Sequence, residues 1–441
     1  MAFLNRICLA IWLFSLSSAS VAQIPMQAWL DEEMELLTET YQYLHQHPEL
    51  SFHEEKTSQF VAQKLEDLGF EVKTGIGGHG VVAILSNGEG PTIMVRADMD
   101  ALPIVEETGV SYASQVSTED GDGNTVGVMH ACGHDMHMTV GLGTMAYLAN
   151  HLDTWKGTLM FVGQPAEEVG SGARLMIAEG LFENFPIPDQ ALALHVSASL
   201  PAGSIGFCPN YAMANVDMMD ITVYGNGGHG AYPHTTIDPV VLSARLILDL
   251  QTIVSREISP LDPAVVTVGS IHGGSKGNVI PNEVKLQLTL RSYKPEVREA
   301  IIAKIKRICR AAGASAGLPE AQYPLVELRN EFTPALFNDP QLTASMVPVF
   351  QASIGEENVK QVSPVMAGED FGRYGKTDDG IPILLYWLGA VPPTQMEQAL
   401  KGELVLPSLH SSKFLPDYVP CILTGVKSMT AAVMALMNDS K

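Results

Sequence analysis

Basic residues are scarce in this 441-residue chain, in which 26 lysines and arginines stand against 49 aspartates and glutamates and the formal net charge is −23. Nucleic acids and anionic membrane surfaces attract proteins through basic patches, so this balance argues against both as partners. Long apolar runs are also lacking after residue 22. We therefore expect no membrane-spanning helix in the mature chain, since such a helix needs about 20 apolar residues.

Cysteine is equally sparse, with five residues in the whole chain. Cys8 lies in the N-terminal leader, and the four others, at positions 132, 208, 309 and 421, are widely and irregularly spaced. This spacing does not suggest a disulfide framework. Cys132 alone has a chemically active neighbourhood, because His134 follows it two residues later.

Residues 1–22 have the composition of an export signal. Arg6 gives a positive start, the apolar stretch Ile7–Leu16 is shorter than a membrane span, and Ser20–Ala22 resembles a small-residue cleavage site. The sequence therefore predicts a mature protein that begins near Gln23 and is exported, either to a bacterial periplasm or to the medium.

The remaining chain divides into two α/β segments around an inserted unit. Apolar runs alternate with helical segments in residues 23–212 and 329–441, which predicts a mixed, largely parallel sheet with helices on both faces. Residues 213–328 follow the order β-α-β-β-α-β, which is typical of a ferredoxin-like α+β fold. The predicted strands of the large sheet are Val81–Leu85, Thr92–Arg96, Thr158–Val162, Gln190–Val196 and Ile383–Leu388.

Four potential metal ligands lie just past the ends of apolar, strand-like runs: Cys132, His134, Glu168 and His195. Their thiolate, imidazole and carboxylate groups are those that bind a borderline divalent cation such as zinc. In parallel α/β sheets, functional groups gather beyond the carboxyl ends of the strands. We therefore expect these residues at one edge of the sheet, together with Asp98 and Asp100, which follow another predicted strand.

Two further residues extend this candidate site. His410, the fifth potential ligand, lies in the C-terminal α/β segment. Glu167 lies beside Glu168, and because adjacent residues point in different directions, one carboxylate can bind a metal while the other faces the cleft. A spare carboxylate beside a metal is what metal-assisted hydrolysis needs as a proton shuttle.

Two other functions compete with hydrolysis. Residues 225–230 fit the pattern G-x-G-x-x-G of dinucleotide-binding oxidoreductases and follow a predicted strand. Pro233 and Pro239 interrupt the helix that should open there, which disfavours this interpretation. A non-catalytic exported metal-binding protein is the other alternative, and Glu167 argues against it because metal storage gives no reason for a base at that position.

Short motifs run in order along nearly the whole mature chain: His45–Leu50, Arg96–Leu102, His130–Asp135, Gln164–Glu168, Ala193–His195, Gly228–His234, Gly277–Pro281, Gly368–Phe371 and Leu409–His410. In these motifs the chain resembles the amidohydrolase branch of the M20 metallopeptidase clan, which includes hippurate hydrolases, N-acyl-amino-acid amidohydrolases and auxin-conjugate hydrolases. The resemblance implies metal-dependent hydrolysis of the amide bond of N-acyl or N-aroyl amino acids. A dipeptidase, aminopeptidase or carboxypeptidase of the same clan is the alternative.

The resemblance also implies roles for the site residues. Two divalent metal ions, Zn²⁺ or Mn²⁺ with Co²⁺ or Ni²⁺ as alternatives, would be held by five ligands, namely Cys132, His134, Glu168, His195 and His410. Cys132 would bridge the ions and Glu167 would be the general base. Asp100 would orient a ligand from behind, and Asp98 stands where the wider clan has a histidine ligand.

The inserted unit, residues 213–328, resembles the lid and dimerisation domain of the clan. By this resemblance His229 would reach an active site, often that of the partner subunit, and stabilise the oxyanion. Asn278 would bind the substrate near it, and Arg291 would pair with the substrate carboxylate. The partners implied are a small N-acyl amino acid and a second copy of the chain, which would form a homodimer through this unit.

Overall fold

The computed structural model describes residues 23–119, 123–329 and 332–438, so the predicted export signal lies outside the described residues. The helices within these ranges are α1 (Gln23–Gln46), α2 (Glu55–Asp67), α3 (His134–Asn150), α4 (Gly172–Ala178), α5 (Leu181–Asn184), α6 (Pro239–Thr252), α7 (Pro295–Ser315), α8 (Pro340–Ile354), α9 (Pro393–Leu400) and α10 (Tyr418–Asn438). Shorter helical turns are Pro233–Thr235, Ile253–Glu257, Glu320–Gln322, Glu356–Asn358 and Asp370–Lys376.

The strands are, in chain order, β1 (Glu71–Ile76), β2 (Gly80–Asn87), β3 (Thr92–Asp98), β4 (Ser117–Glu119), β5 (Thr125–Gly127), β6 (Gly157–Gln164), β7 (Gln190–Pro201), β8 (Ile205–Phe207), β9 (Asn210–Met213), β10 (Asn215–Tyr224), β11 (Gly228–His229), β12 (Ala264–His272), β13 (Val279–Ile280), β14 (Glu283–Ser292), β15 (Leu325–Leu328), β16 (Leu336–Asn338), β17 (Val359–Gln361) and β18 (Ile383–Val391).

One mixed sheet of eight strands, in the order β1-β2-β6-β3-β7-β18-β8-β17, dominates the fold. Its four central strands, β6, β3, β7 and β18, are mutually parallel. At one edge β2 runs antiparallel to both of its neighbours, β1 and β6. Near the other edge β8 runs antiparallel to β18. The prediction of a mixed, largely parallel sheet is confirmed.

The sheet is buried on both faces because its strands are apolar on both sides. Successive residues of a strand point to opposite faces, so Ile93 and Val95 pack with α1, α2, α3, α8 and α10. Met94, between them, packs on the other face with α4, α5 and the turn Asp370–Lys376. Helices therefore cover both faces, and the carboxyl ends of the central strands remain as the edge at which side chains can converge.

Helix α10 differs from one expectation of the sequence analysis. It is long and apolar enough, by length and composition, to cross a membrane, and 61% of its most apolar window is buried inside the protein. Its buried side chains, among them Ile422, Val426 and Val433, belong to the core beneath the large sheet. Its burial is therefore that of a helix in the core of a folded protein.

The segment from β10 to β15 forms a second, antiparallel sheet in the order β12-β14-β10-β15. Strand β10 alternates strictly between buried and half-buried residues, as expected of a sheet with one covered face. Apolar residues of α6 and α7, such as Leu246 and Ile305, cover that face. The element order agrees with the ferredoxin-like pattern, whereas a lid or dimerisation role for the unit stays a prediction.

Candidate metal centre

The carboxyl edge of the large sheet brings the five predicted metal ligands together. His195 lies within β7, two residues beyond Ala193, the last residue that pairs with β3. Glu168 follows β6 across the turn at Pro165, and His134 is the first residue of α3. Each ligand therefore projects from a chain segment whose position the sheet fixes.

Cys132 lies between two groups of potential ligands. Its Sγ is 3.5 Å from Nε2 of His195 and 3.3 Å from Nε2 of His410. Nε2 of His410 is in turn 3.5 Å from Oε2 of Glu168. The ligand atoms of Cys132, His134 and His195 all lie within 4.8 Å of one another, and so do those of Cys132, Glu168 and His410. Because Cys132 belongs to both groups, its thiolate is positioned as a potential ligand in each of them.

Two buried atoms at the centre lack a hydrogen-bond partner within the described part of the chain, Nε2 of His134 and Oε1 of Glu168. They lie 3.9 Å apart. A buried nitrogen and a buried carboxylate oxygen without partners are costly, and a cation between them would satisfy both. Nitrogen, oxygen and sulfur donors together suit a borderline divalent cation, so the residues present fit the metals that the sequence predicts.

Backbone carbonyls orient two of the imidazole rings. Nδ1 of His134 is 2.7 Å from the carbonyl oxygen of Asp100, and Nδ1 of His195 is 2.8 Å from that of Val196. A carbonyl can only accept, so each Nδ1 carries the proton and donates it. In the neutral ring each Nε2 then has a lone pair that faces the centre, as a metal ligand requires.

Asp100 accepts hydrogen bonds from the backbone of Glu167, the predicted base, and of Glu168, a predicted ligand. The N–H of Glu167 donates to its Oδ1 at 3.1 Å, and the N–H of Glu168 donates to its Oδ2 at 3.0 Å. The hydroxyl of Ser51 donates to the same Oδ2 at 2.6 Å. Burial opposes ionisation of Asp100, but these bonds and the His134 ring hold the pKa of its carboxyl below the ordinary value. Asp100 thus lies behind the ligands, and its role in orienting one of them stays a prediction.

Both carboxylate oxygens of Asp98 have partners beside the centre. Its Oδ1 is 2.6 Å from Nδ1 of His137, and its Oδ2 accepts from Nη1 of Arg96 at 2.6 Å and lies 3.7 Å from Nε2 of His134. Nε2 of His137 accepts the N–H of Val196 at 2.9 Å. Both nitrogens of His137 are therefore occupied, and it supports the backbone whose carbonyl orients His195.

Arg96 balances a group of carboxylates that the sequence reasoning missed. It is wholly buried, and its Nη2 lies 2.9 Å from Oε1 of Glu369 and 3.2 Å from Oδ1 of Asp370. Carboxylate oxygens of Glu167, Glu369 and Asp370 all lie within 4.8 Å of one another. The motifs RADMD and GED contained these residues, but nothing in a linear sequence shows that they meet.

The two adjacent glutamates have strongly perturbed acidities. Burial, together with the negative charges of Glu369, Glu168 and Asp370, raises the pKa of Glu167 well above its ordinary value. Burial also raises the pKa of Glu168 to about 7. A raised pKa makes a carboxylate a stronger proton acceptor, which suits a general base.

The metal-free centre holds protons that a cation must displace. The carboxylates of Asp98 and Asp100 outweigh the effect of burial and raise the pKa of His134 to about 10. Burial and the charges of Glu168 and Glu167 raise the pKa of the Cys132 thiol well above its ordinary value. Because ligands bind in their deprotonated forms, metal binding must release these protons.

The three residues predicted to contact the substrate lie in the second sheet unit, apart from the ligands. His229 and Asn278 share one loop pair, in which the N–H of Gly230 donates to the carbonyl of Asn278 at 2.8 Å. Nδ1 of His229 accepts the N–H of Ala231 at 3.0 Å, and the ring is exposed. In the described residues, His229 contacts its own loop and the paired strand β13, where it lies opposite Val279.

Arg291 is half-buried in β14 and faces the chain segment of Glu369. Its Nη1 is buried without a hydrogen-bond partner in the described ranges and lies 3.9 Å from the position that a Cβ of Gly368 would occupy. Gly368 directly precedes Glu369. The unpaired guanidinium therefore lies next to the loop that flanks Glu167.

Comparisons with known proteins identify the family of this chain. The pattern of peptidase family M20/M25/M40 matches residues 94–400. An N-acetyldiaminopimelate deacetylase of Priestia megaterium is 38% identical over 352 residues, which cover 78% of this chain and 87% of that protein. Thermostable carboxypeptidase 2 of Saccharolobus solfataricus is 35% identical over 382 residues, covering 85% and 88%. The crystal structure of Bacillus subtilis YXEP, described as a dinuclear metal binding peptidase from the M20 family, matches with a TM-score of 0.72 at 26% identity, covering 92% of this chain and 99% of that one.

Proposed function

The chain belongs to peptidase family M20/M25/M40 and is a hydrolase of amide bonds, and from this premise we propose that it cleaves N-acyl or N-aroyl amino acids into a carboxylic acid and an amino acid. The observation that carries the proposal is the position of Glu167. Its Oε2 lies 3.9 Å from Nε2 of His134, in a group with His134 and Glu168, but Glu167 belongs to neither of the two groups that contain Cys132. A base in that position is what metal-assisted hydrolysis requires.

Two divalent ions would be held by Cys132, His134, Glu168, His195 and His410. Ions bound there would polarise the amide carbonyl and lower the pKa of a bound water to about 7. The thiolate and the three imidazoles favour Zn²⁺, whereas the carboxylate-rich surroundings also accept Mn²⁺, with Co²⁺ or Ni²⁺ as alternatives.

The protein's own groups carry the proton. Glu167 takes a proton from the attacking water and later gives it to the nitrogen of the leaving amine. Asp100 keeps the Glu167 backbone in place, and the raised pKa of Glu167 favours proton uptake. Arg96 binds the carboxylates of Glu369 and Asp370, so these groups are engaged and do not compete with Glu167 for the cleft.

The second sheet unit would supply the groups that contact the substrate. Arg291 has an unpaired Nη1, and a substrate carboxylate would satisfy it. Nδ1 of His229 is occupied as an acceptor, so its Nε2 carries the proton and can donate to the oxyanion. Asn278 adjoins the same loop. An exposed His229 suits a role across a homodimer, which would form through residues 213–328.

Export through residues 1–22 completes the proposal. The composition of this segment supports it, and the mature enzyme would then act in the periplasm or the medium. The N-terminal sequence of protein recovered from the extracytoplasmic fraction should begin near Gln23. Recovery of the full-length chain from the cytoplasm alone would contradict export.

A peptidase is the second candidate function, because a relative at 35% identity is named a carboxypeptidase. The deciding experiment compares N-acetyl and N-benzoyl amino acids with dipeptides that have a free amino group, after reconstitution with Zn²⁺, Mn²⁺ or Co²⁺. Higher kcat/KM on the acylated compounds supports the proposal. Preference for the dipeptides would favour a peptidase, and metal binding without turnover on either set would favour a metal-binding protein.

A further inference from the structure

Three consecutive peptide N–H groups next to the metal centre are held by two buried carboxylates. The N–H of Ala166 donates to Oε1 of Glu54 at 2.8 Å. The N–H groups of Glu167 and Glu168 donate to the two oxygens of Asp100 at 3.1 Å and 3.0 Å. Asp100 thus fixes the second and third amides of the turn, while Glu54, from the loop before α2, fixes the first.

The first of these amides belongs to a residue in an unfavourable conformation. Ala166 has a φ of 51°, in the left-handed region that residues other than glycine, asparagine and aspartate rarely adopt. Such a conformation persists only where the surroundings over-determine it. The carbonyl of Ala166 accepts the N–H groups of Ser171 and Gly172, and Glu54 holds its N–H from the opposite side. The chain therefore reverses at Ala166, immediately before Glu167 and Glu168.

Glu54 is a buried carboxyl that accepts hydrogen bonds from backbone N–H groups, that of Ala166 among them. The residue is 0% exposed, and its second oxygen, Oε2, has no hydrogen-bond partner within the described residues. A buried carboxyl with an unsatisfied oxygen is costly, so an apolar residue would be the more stable choice for packing alone. The bond from the Ala166 N–H to its Oε1 is a contact that an apolar residue could not replace.

We propose that Glu54 is a positioning residue, which fixes the left-handed turn at Ala166 and thereby directs Glu168 towards a metal ion and Glu167 towards the cleft. This inference rests on the proposed metal-dependent function. It predicts that the length of the side chain at position 54, and its ability to accept one hydrogen bond, matter more than its charge.

Two substitutions separate length from charge. Glu54→Gln keeps an acceptor at the same distance and removes the charge, whereas Glu54→Asp keeps the charge and withdraws the acceptor by one methylene. Metal-free protein would be titrated with Co²⁺ and followed by absorption of the cobalt–thiolate chromophore. We expect Glu54→Gln to bind both ions within about threefold of the parent, and Glu54→Asp to bind the second ion at least about tenfold more weakly, as for other groups that orient ligands.

Kinetics supply a second readout and a matched control. In Glu54→Asp we expect kcat to fall while KM stays near the parent value, because the residues proposed to bind the substrate are untouched. Glu49 lies in the same loop, but in the described part of the chain its carboxylate accepts hydrogen bonds from Thr57 at the start of α2, through the backbone N–H and the hydroxyl. Glu49→Ala should lower thermal stability and leave Co²⁺ affinity within threefold.

The opposite order of effects would overturn the inference. If Glu54→Asp binds both ions like the parent, or Glu54→Gln is the weaker binder, then charge or packing and not the Ala166 hydrogen bond decides the role of Glu54. The titration needs no amide substrate. A parent protein that binds two Co²⁺ ions but hydrolyses no N-acyl amino acid would therefore refute the proposed function while leaving the Glu54 comparison valid.

Discussion

At the scale of single residues, Glu167 and Glu168 are chemically identical neighbours with different surroundings. Glu168 has one oxygen without a partner 3.9 Å from Nε2 of His134 and the other 3.5 Å from Nε2 of His410. Glu167 also has an oxygen 3.9 Å from Nε2 of His134, but it lies in addition within a group of three carboxylates with Glu369 and Asp370. Asp100 holds the backbone of both glutamates, and only Glu168 also approaches His410 and Cys132.

Replacing Glu167 with glutamine should therefore separate binding from catalysis. We expect Glu167→Gln to keep the parent metal content, because the five ligands are intact, and to lower kcat by about 10²–10⁴, the usual contribution of a general acid–base group. Metal analysis and steady-state kinetics check both halves. Glu183→Gln, at an exposed position, is the control and should behave like the parent. Near-parental turnover in Glu167→Gln would remove Glu167 from the mechanism.

The acidity of the ligands predicts that metal affinity depends on pH. His134, with a pKa of about 10 in the metal-free centre, and the Cys132 thiol, whose pKa is raised well above its ordinary value, both hold protons at neutral pH. Metal binding must release these protons, so affinity should rise as the pH increases from about 6 to 8. Competition with a chelator of known affinity measures the slope. An affinity independent of pH would contradict the assignment of these two ligands.

At the scale of elements, His45 ties α1 to the segment that carries the ligands. Its Nδ1 is 2.6 Å from Oδ2 of Asp135 in α3, and its Nε2 is 3.0 Å from Oε1 of Glu106. Although burial favours the neutral ring, the bonds to these two carboxylates raise the pKa of His45 to about 9. Carboxylates only accept, so both ring nitrogens donate and the imidazole is charged.

This ion group should make stability depend on pH in the alkaline range. The folded pKa of His45, about 9, is above the unfolded value near 6.5, so its contribution is complete below the unfolded pKa and is lost as the pH rises through 9. The shift corresponds to a contribution by His45 on the order of 3 kcal/mol to the free energy of unfolding. In thermal unfolding, His45→Gln should be less stable than the parent at pH 6 and approach it near pH 10. A difference in Tm that stays constant across this range would contradict the link.

Strand prediction succeeded where the chain is buried on both faces. All five predicted strands of the large sheet appear, among them Thr92–Arg96 within Thr92–Asp98 and Ile383–Leu388 within Ile383–Val391. The two edge strands, β1 and β17, and β8 next to β17 were not predicted. β8 and β17 have only three residues each, and β1 has four exposed residues out of six. None of these three strands therefore has an apolar run that would mark it.

At the scale of the whole molecule, the second sheet unit faces the active-site edge through Arg291. We expect Arg291→Ala to raise KM for N-acyl amino acids by about 10–100-fold, because a charge-assisted hydrogen bond contributes about 1.5–3 kcal/mol. For a substrate analogue in which a neutral amide replaces the amino-acid carboxylate, Arg291→Ala should not raise KM further.

The control for Arg291 comes from the same unit. Arg307 is exposed and pairs with Glu257 on the surface of the helices, so Arg307→Ala should keep the parent KM. An unchanged KM in Arg291→Ala would show that the substrate carboxylate is bound elsewhere.

The sequence by itself determined the chemistry of this protein. The ligand types, the spare glutamate and the alternation of apolar strands with helices are all local patterns, and the sheet geometry then requires strand ends to meet at one edge. The roles of Arg96 and Glu54 could not be found in this way, because Arg96 meets Glu369 across 273 residues of chain and Glu54 meets Ala166 across 112. Only the tertiary structure decided these contacts, since periodicity records which residues are buried and packing alone decides which buried polar groups become partners.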